Sequence, residues 1–277
     1  MVVVLGLLAA ICYGTSDFVG GFTSRRASAL AVLTYSYPVG ALLMLALVPA
    51  FPGQFTGRAL LFGALGGAAG LAGVATLYRL MIDSPMNVVS PVSAVLAAIV
   101  PVVVGTVVGE RPKNAAWLGM ALGLVAVVLV SRTAEDSPHG PISARVLGWA
   151  AFAGLGFGFY FVFLARAGAD SGLWALVVSR FVAALLIVPL IVRRRSWAGV
   201  PARLVPLVFA GGALDALANM CFLLATRHGL LSLAGVLTSL YPAVTVLLAV
   251  GLLHEHTSRT QRAGLGLAAA AIVLITV

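Results

Sequence analysis

Long apolar stretches separated by short polar segments run through the whole chain. A helix that crosses a bilayer needs about 20 apolar residues, and the polar, proline and glycine punctuation leaves ten stretches of about this length. These predicted spans, numbered 1 to 10, cover residues 2–22, 29–49, 58–80, 86–109, 114–131, 146–166, 172–192, 203–225, 231–253 and 260–277. The pattern predicts an all-α integral membrane protein with ten transmembrane helices.

The longest polar segment, 131–145, divides the ten spans into five and five. When the second half is shifted by 145 residues, these landmarks coincide without gaps: Arg58 with Arg203, Gly66 with Gly211, Gly67 with Gly212, Ala68 with Ala213, Glu110 with Glu255, and Gly119 with Gly264. We therefore predict two five-helix repeats, 1–132 and 145–277, joined by a central loop, 133–144. Because five is odd, the second repeat must insert upside down, as in alternating-access carriers whose sites lie between the repeats.

Composition supports a membrane protein. The chain is 61% hydrophobic and 9% charged, whereas soluble proteins carry about 25% charged residues. The net charge of +9 would suit nucleic acid, but the basic residues flank the apolar stretches, as membrane-flanking charges do. We expect a lipid bilayer and a small-molecule substrate as partners, and no nucleic acid.

Three ionisable residues lie deep in the predicted spans: Asp17, Arg180 and Asp215. Counting about 1.5 Å per residue from the flanking arginines places each well inside the bilayer. Intramembrane charges are costly and are functional hypotheses by default. One interpretation is a shared cavity in which an aspartate exchanges a proton, since low dielectric favours the protonated carboxylate, and Arg180 holds a substrate carboxylate or a neighbouring Asp. The alternative is a static Arg180–Asp215 pair, with Asp17 hydrogen-bonded to a neighbour.

Helical spacing adds candidates that line the same pathway. Asn219 lies four residues after Asp215, and Tyr13 lies four residues before Asp17, so each shares a helix face with its aspartate. Single tyrosines within other spans, which could equally belong to the interfacial belt, complete the set: Tyr37, Tyr160 and Tyr241.

Other residues have structural interpretations. Prolines within spans remove backbone hydrogen bonds and predict helix kinks at Pro91, Pro101 and Pro242. Glu110 and Glu255 begin the last helix of each half, where a carboxylate meets a favourable dipole. We expect no metal site and no disulfide, because the sequence has no CxxC and no Cys/His cluster.

Four stretches carry a resemblance that extends over the whole chain. They read "YGTSDFVGGFTSRR" (13–26), "VGERPKNAAWLGMALGLVAVVLV" (108–130), "SRFVAALLIVPL" (179–190) and "SLYPAVTVLLAVGLLHEHTSRTQRAGLGLAAAAIVLI" (239–275). The chain resembles the EamA-type branch of the drug/metabolite transporter superfamily. The resemblance implies a ten-helix exporter of amino acids, other metabolites or drugs, and a family pattern that includes Glu110, Glu255, Gly119 and Gly264. The sequence departs from that pattern at Ala97, which stands where the second half has Pro242.

We therefore expect a secondary active transporter of a bacterial-type inner membrane that exports a small metabolite, coupled to protons, with no cofactor. A passive facilitator or channel of the same fold is the main alternative. An intramembrane enzyme has no HExxH or GxSxG motif to support it, and no P-loop indicates ATP drive. The even number of spans places both termini on one side. The excess of Lys and Arg in the loops after spans 1, 3, 5, 7 and 9 places that side outside, whereas the resemblance implies cytoplasmic termini. Monomer and homodimer both remain open.

Overall fold

The computed structural model describes residues 1–24, 26–27, 29–83, 86–131, 143–194, 199–254 and 256–276. These residues form α-helices and short 3-10 helices, and no β-strand occurs among them. The α-helices in chain order are α1 (Val2–Ser24), α2 (Ala29–Leu47), α3 (Gly57–Asp83), α4 (Met86–Val107), α5 (Asn114–Ser131), α6 (Ala144–Arg166), α7 (Trp174–Arg194), α8 (Val205–Arg227), α9 (Leu231–Thr238), α10 (Tyr241–Leu253) and α11 (Arg259–Thr276).

The helices follow the predicted spans closely, with one span divided in two. Seven segments of the described chain are long and apolar enough to cross a membrane, and two shorter apolar helices lie within α4 and α7. The divided span is the ninth, which becomes α9 and α10. The chain is therefore an all-helical integral membrane protein.

The break in the ninth span lies beside Pro242. The Leu240 amide donates to the Leu237 carbonyl oxygen at 3.3 Å, and the Ala243 amide donates to the Leu240 carbonyl oxygen at 2.9 Å. Both bonds join residues three apart, so this turn is tighter than an α-helix. Pro242 stands in the first turn of α10, where a missing amide is tolerated. The kink predicted at Pro242 is thus a full break between two helices.

The packing of helices in one half resembles that in the other. Helix α1 packs on α8, as α3 packs on α6, and α2 packs on α8, as α3 packs on α7. Helix α4 packs on α6, as α9 and α10 pack on α1, while α5 packs on α11. Each helix has a counterpart 145 residues away: α1 with α6, α2 with α7, α3 with α8, α4 with α9 and α10, and α5 with α11. Exchanging counterparts reproduces these main helix pairs.

Two glycines of the repeated Gly-Gly-Ala stretch make equivalent close contacts. A Cβ atom on Gly67 of α3 would lie 2.4 Å from the carbonyl oxygen of Ser179 in α7. A Cβ on Gly212 of α8 would lie 2.6 Å from the carbonyl oxygen of Ser36 in α2. The missing side chains let these helices approach backbone to backbone, which is how small residues drive packing in lipid.

The last helices of the two halves meet through a reciprocal contact. A Cβ on Gly119 of α5 would lie 2.8 Å from Ile275 of α11, and one on Gly264 of α11 would lie 2.7 Å from Val130 of α5. A shift of 145 residues converts the first contact into the second. The residue numbers rise along α5 as they fall along α11, so these two helices run antiparallel.

One end of the helix bundle is held together by contacts between loops. We call it the terminal face: the N-terminus with the loops 48–56, 108–113, 167–173 and 228–230. The Gln54 amide donates to the Asp170 carbonyl oxygen at 2.8 Å, and the Arg227 guanidinium donates to the Gly172 carbonyl oxygen. A Cβ on Gly229 would lie 2.6 Å from Val2. The other end, which includes the C-terminal end of α1, is called the opposite face.

Candidate functional site

Asn219 is the centre of a polar layer between the two halves. It is 2% exposed, and its Oδ1 accepts hydrogen bonds from the hydroxyls of Tyr13, at 2.6 Å, and Tyr160. Its Nδ2 donates to the main-chain oxygen of Asp215 at 2.6 Å, one helical turn earlier in α8. The carboxamide thereby joins α1, α6 and α8, and its buried polar atoms are satisfied.

Arg180 and Asp215 form an ion pair, with Asp215 one helical turn before Asn219 in α8. The Nη2 atom of Arg180 donates to Oδ2 of Asp215, and the two side chains are 7% and 36% exposed. The guanidinium lies 5.6 Å from the ring centroid of Tyr37, a cation–π distance. Among the described residues, Nε of Arg180 has no hydrogen-bond partner. The Arg180–Asp215 pairing that the sequence offered as an alternative is therefore present in this conformation, and whether the pair is static or part of the pathway stays a prediction.

Asp17 is the exposed member of the group. Its carboxylate lies within electrostatic range of Asp215 and of Tyr241, and no described residue forms an ion pair or a hydrogen bond with it. The hydrogen-bonded partner that the structural interpretation required is therefore not found in the described part of the chain.

The exposure of Asp17 is not exposure to lipid. The large apolar side chains that α1 presents outward include Val4, Leu8 and Ile11. At about 100° per residue, Asp17 lies about 180° around the helix from Leu8 and about 120° from Ile11. One turn further along α1, Cβ atoms placed on Gly20 or Gly21 would find no heavy atom of the described residues within 4 Å. Asp17 therefore faces an opening inside the bundle that continues toward the opposite face.

All eight predicted pathway residues come together in one region of the bundle. Electrostatic interactions and contacts connect them, and both halves contribute: Tyr13, Asp17 and Tyr37 from the first, and Tyr160, Arg180, Asp215, Asn219 and Tyr241 from the second. The role of each in transport stays a prediction. Their meeting could not be read from any one helix, because they lie on six different helices.

Sequence reasoning did not identify two residues of this region. Gly40 of α2 lies beside the cation, since a Cβ placed on it would lie 3.6 Å from the Arg180 guanidinium carbon, an ordinary contact distance. The ring of Phe161 packs edge-on against Tyr13, with centroids 6.1 Å apart. The position of Gly40, three residues after Tyr37 on the same helix face, was the available signal.

Glu110 contacts a different helix from the one expected. It lies in the loop before α5, and its carboxylate accepts the amides of Leu231, at 2.6 Å, and Ser232, at 3.0 Å, at the start of α9. The Glu110 carboxylate thus lies at a helix N-terminus, as expected, but this is the N-terminus of α9 and not that of α5. Glu255 lies outside the described residues.

The remaining predicted positions are helical. Pro91 and Pro101 lie within α4, which is helical on both sides of each proline. Pro101 packs on α9, where a Cβ on Gly235 would lie 2.6 Å from it. Within the described ranges, no group of three or more His, Cys, Asp or Glu side chains is placed to hold a metal ion, and Cys12 and Cys221 are free thiols.

Comparison with known proteins identifies the family. The model of the EamA-like transporter family matches residues 1–132 and 144–277. A solved structure, described only as the crystal structure of a protein, superposes with a TM-score of 0.83 at 16% sequence identity, covering 100% of this chain and 98% of that chain, which is a likeness of fold. No curated protein matches the sequence. The family model spans nearly the whole chain in two units, and the chain belongs to the EamA-like transporter family.

Proposed function

We propose that this chain is a secondary active transporter that exports a small metabolite, an amino acid or a related or drug-like compound, in exchange for protons. The observation that carries the proposal is Asp17. It is an ionisable carboxylate exposed to an opening inside the bundle, beside the Arg180–Asp215 pair and away from the lipid-facing stripe of α1. Family membership favours transport over intramembrane catalysis, and the proton gradient is the only energy source we invoke.

Alternating access is the proposed mechanism. The reciprocal glycine contacts between the antiparallel α5 and α11 support two inverted repeats that meet at a pseudo-two-fold axis. The loop contacts of the terminal face, and the empty space beside Gly20 and Gly21, support a conformation closed at the terminal face and open at the opposite face. Transport then requires that the terminal face opens while the opposite face closes.

The proton and the substrate would compete for the same carboxylate. With Asp17 ionised, the site holds two carboxylates and one guanidinium, so a net negative charge is available to a proton or to a substrate group. Binding of one releases the other, which is the requirement for obligatory exchange. Asp215 is held by Arg180, so Asp17 is the residue that we assign to proton exchange.

Transport in reconstituted vesicles tests the proposal. Vesicles that contain purified protein and a trapped pH-sensitive dye are given a panel of amino acids and drug-like compounds, with and without an imposed pH gradient. We expect one compound class to move with counterflow of protons, and Asp17→Asn to fold but lose that coupling. Asp170→Asn, which removes an exposed carboxylate at the terminal face, is the matched control. Substrate movement without proton flux would instead identify a passive facilitator.

Orientation follows from the same proposal. The positive-inside count places the termini outside, in a bacterial-type inner membrane, so the terminal face would be extracytoplasmic and the opening would face the cytoplasm. An exporter in this conformation is ready to take up its cargo. A C-terminal alkaline phosphatase fusion should be active and a green fluorescent protein fusion dark, and the reverse pattern would place the termini in the cytoplasm.

A further inference from the structure

Of the three charged groups at the site, two are paired with each other and the third, Asp17, has no partner among the described residues. Arg180 is 7% exposed and donates to Asp215, so the only guanidinium of the site already has a carboxylate partner. Asp17 has no such partner among the described residues, and it is exposed. Of the three ionisable groups, Asp17 is therefore the carboxylate that is available to a substrate without breaking an ion pair among the described residues. A substrate carboxylate would have to displace Asp215 from a buried ion pair, which leaves a buried charge unpaired.

Aromatic rings stand beside that carboxylate. The rings of Tyr13 and Tyr241 have centroids 6.1 Å apart with an interplanar angle of 56°, and both residues lie within electrostatic range of Asp17. The Tyr13 hydroxyl is engaged by Asn219, which fixes its ring. A carboxylate flanked by ring faces attracts ammonium groups through both ion pairing and cation–π interaction.

The space next to Asp17 admits a molecule larger than a proton. Gly20 and Gly21 follow Asp17 on neighbouring faces of α1, and side-chain atoms placed there would meet nothing within 4 Å. The opening is therefore bordered by the backbone of α1 at these glycines, one turn beyond Asp17. Such a site suits an apolar or aromatic body that carries its charge at one end.

We propose that the transported compounds are monovalent organic cations, whose nitrogen pairs with Asp17 beside the contacting rings of Tyr13 and Tyr241. This proposal rests on the proposed function, since it takes this opening as the transport site. The Arg180–Asp215 pair holds the wall of the site and does not bind the charged group of the substrate. Zwitterions and anions bind more weakly, because no cation without a carboxylate partner faces the site among the described residues.

Binding to purified protein in detergent, measured by calorimetry, tests the substrate class. The probes are three compounds with one aromatic ring each: benzyltrimethylammonium, phenylalanine and phenylacetate. We expect the cation to bind most tightly. Asp17→Asn should weaken its binding by about tenfold or more, the equivalent of about 1.4 kcal/mol, while Asp170→Asn leaves it unchanged. Tyr241→Leu should weaken binding, and Tyr241→Phe should preserve it, because the ring face is what the cation contacts.

The outcomes separate this inference from the proposed function. Tighter binding of phenylalanine or phenylacetate, unchanged cation affinity in Asp17→Asn, or no binding of the cation would each overturn the substrate class. The vesicle panel is run on the same preparations. Proton-coupled transport of a zwitterion or anion there would uphold the transporter while excluding the cation, and loss of all transport would remove the proposed function itself. A melting temperature close to wild type in every variant confirms that the comparison concerns folded protein.

Discussion

Replacing Glu110 would measure how much one contact between the halves, at the terminal face, contributes to the free energy of unfolding. Its carboxylate accepts the Leu231 and Ser232 amides at 2.6 and 3.0 Å. These amides have no partner within α9, since they lie in its first turn, and a carboxylate there also meets the positive end of the helix dipole. Losing a capping acceptor costs about 0.5–2 kcal/mol, and a hydrogen bond to a charged group contributes about 1.5–3 kcal/mol. Because Glu110 is partly exposed, we expect Glu110→Ala to lower the free energy of unfolding by about 2 kcal/mol.

Thermal unfolding in detergent measures this change. For a chain of this size about 1 kcal/mol corresponds to roughly 2–4 °C, so Glu110→Ala should melt about 4–8 °C below wild type. Glu110→Gln keeps one oxygen acceptor and loses the charge, and should lie between the two. The control is Arg111→Ala, because Arg111 is exposed and its one described hydrogen bond joins the Glu110 main-chain oxygen at 3.0 Å. Exposed substitutions of this kind change stability by about 0.5 kcal/mol or less.

Two results would refute the reasoning about Glu110. An Ala variant that melts within a degree or so of wild type would mean that water or another group satisfies the α9 amides equally well. An equal loss in Arg111→Ala would assign the effect to the loop as a whole. A Gln variant as unstable as the Ala variant would point instead to the charge as the dominant contribution.

Three further perturbations follow from the same contacts. Gly67→Ala places a methyl group against the α7 backbone, and the overpacking should lower the free energy of unfolding by about 1–3 kcal/mol and so reduce the yield of folded protein in size-exclusion chromatography. Gly148→Ala, which has open space around it, should give a wild-type yield. Arg180→Met leaves Asp215 without its cation and should lower the stability measured by thermal melting by about 2–3 kcal/mol, less than the roughly 3–5 kcal/mol of a fully buried pair. Adding Asp215→Leu should recover stability but not transport. A double variant that is stable and active would show that the pair has no part in the mechanism. Gly21→Trp should fill the opening beside Asp17 and abolish vesicle transport without lowering the melting temperature, while Gly148→Trp keeps transport; full activity in Gly21→Trp would place the pathway elsewhere.

The helices themselves could be predicted because each is determined by its own sequence. A run of about 20 apolar residues specifies a membrane helix without reference to its neighbours, and the boundaries of α5 and α6 agree with the predicted spans to within a few residues. The prolines were a weaker guide: Pro242 stands at the break between α9 and α10, whereas Pro101, which lacks the same amide, lies within the continuous helix α4.

Partners between helices could not be predicted in the same way. The stretch around Glu110 reads as the start of α5, yet its carboxylate meets α9, more than 100 residues later. Nothing in the local sequence distinguishes these two N-termini, because both expose amides and a positive dipole end. The choice depends on the tertiary arrangement of α4 and α9. Likewise, the sequence left open whether Asp17 or Asp215 would lack a partner, and only the tertiary structure, in which the Arg180 side chain of α7 reaches Asp215 of α8, assigns Arg180 to Asp215.

The two halves share their packing residues and differ in their charged ones. The shift of 145 residues pairs Gly67 with Gly212 and Gly119 with Gly264, and in each pair both members make close contacts between helices. The same shift pairs the charged residues with dissimilar ones: Asp17 with Val162, Arg180 with Tyr35, and Asp215 with Gly70. A group needed only for packing would be needed equally at both positions, since the neighbouring helices are equivalent. Charged residues without a charged counterpart in the other half are what we expect of a single substrate site near the axis between the halves, and this asymmetry is why we propose that these three residues form it.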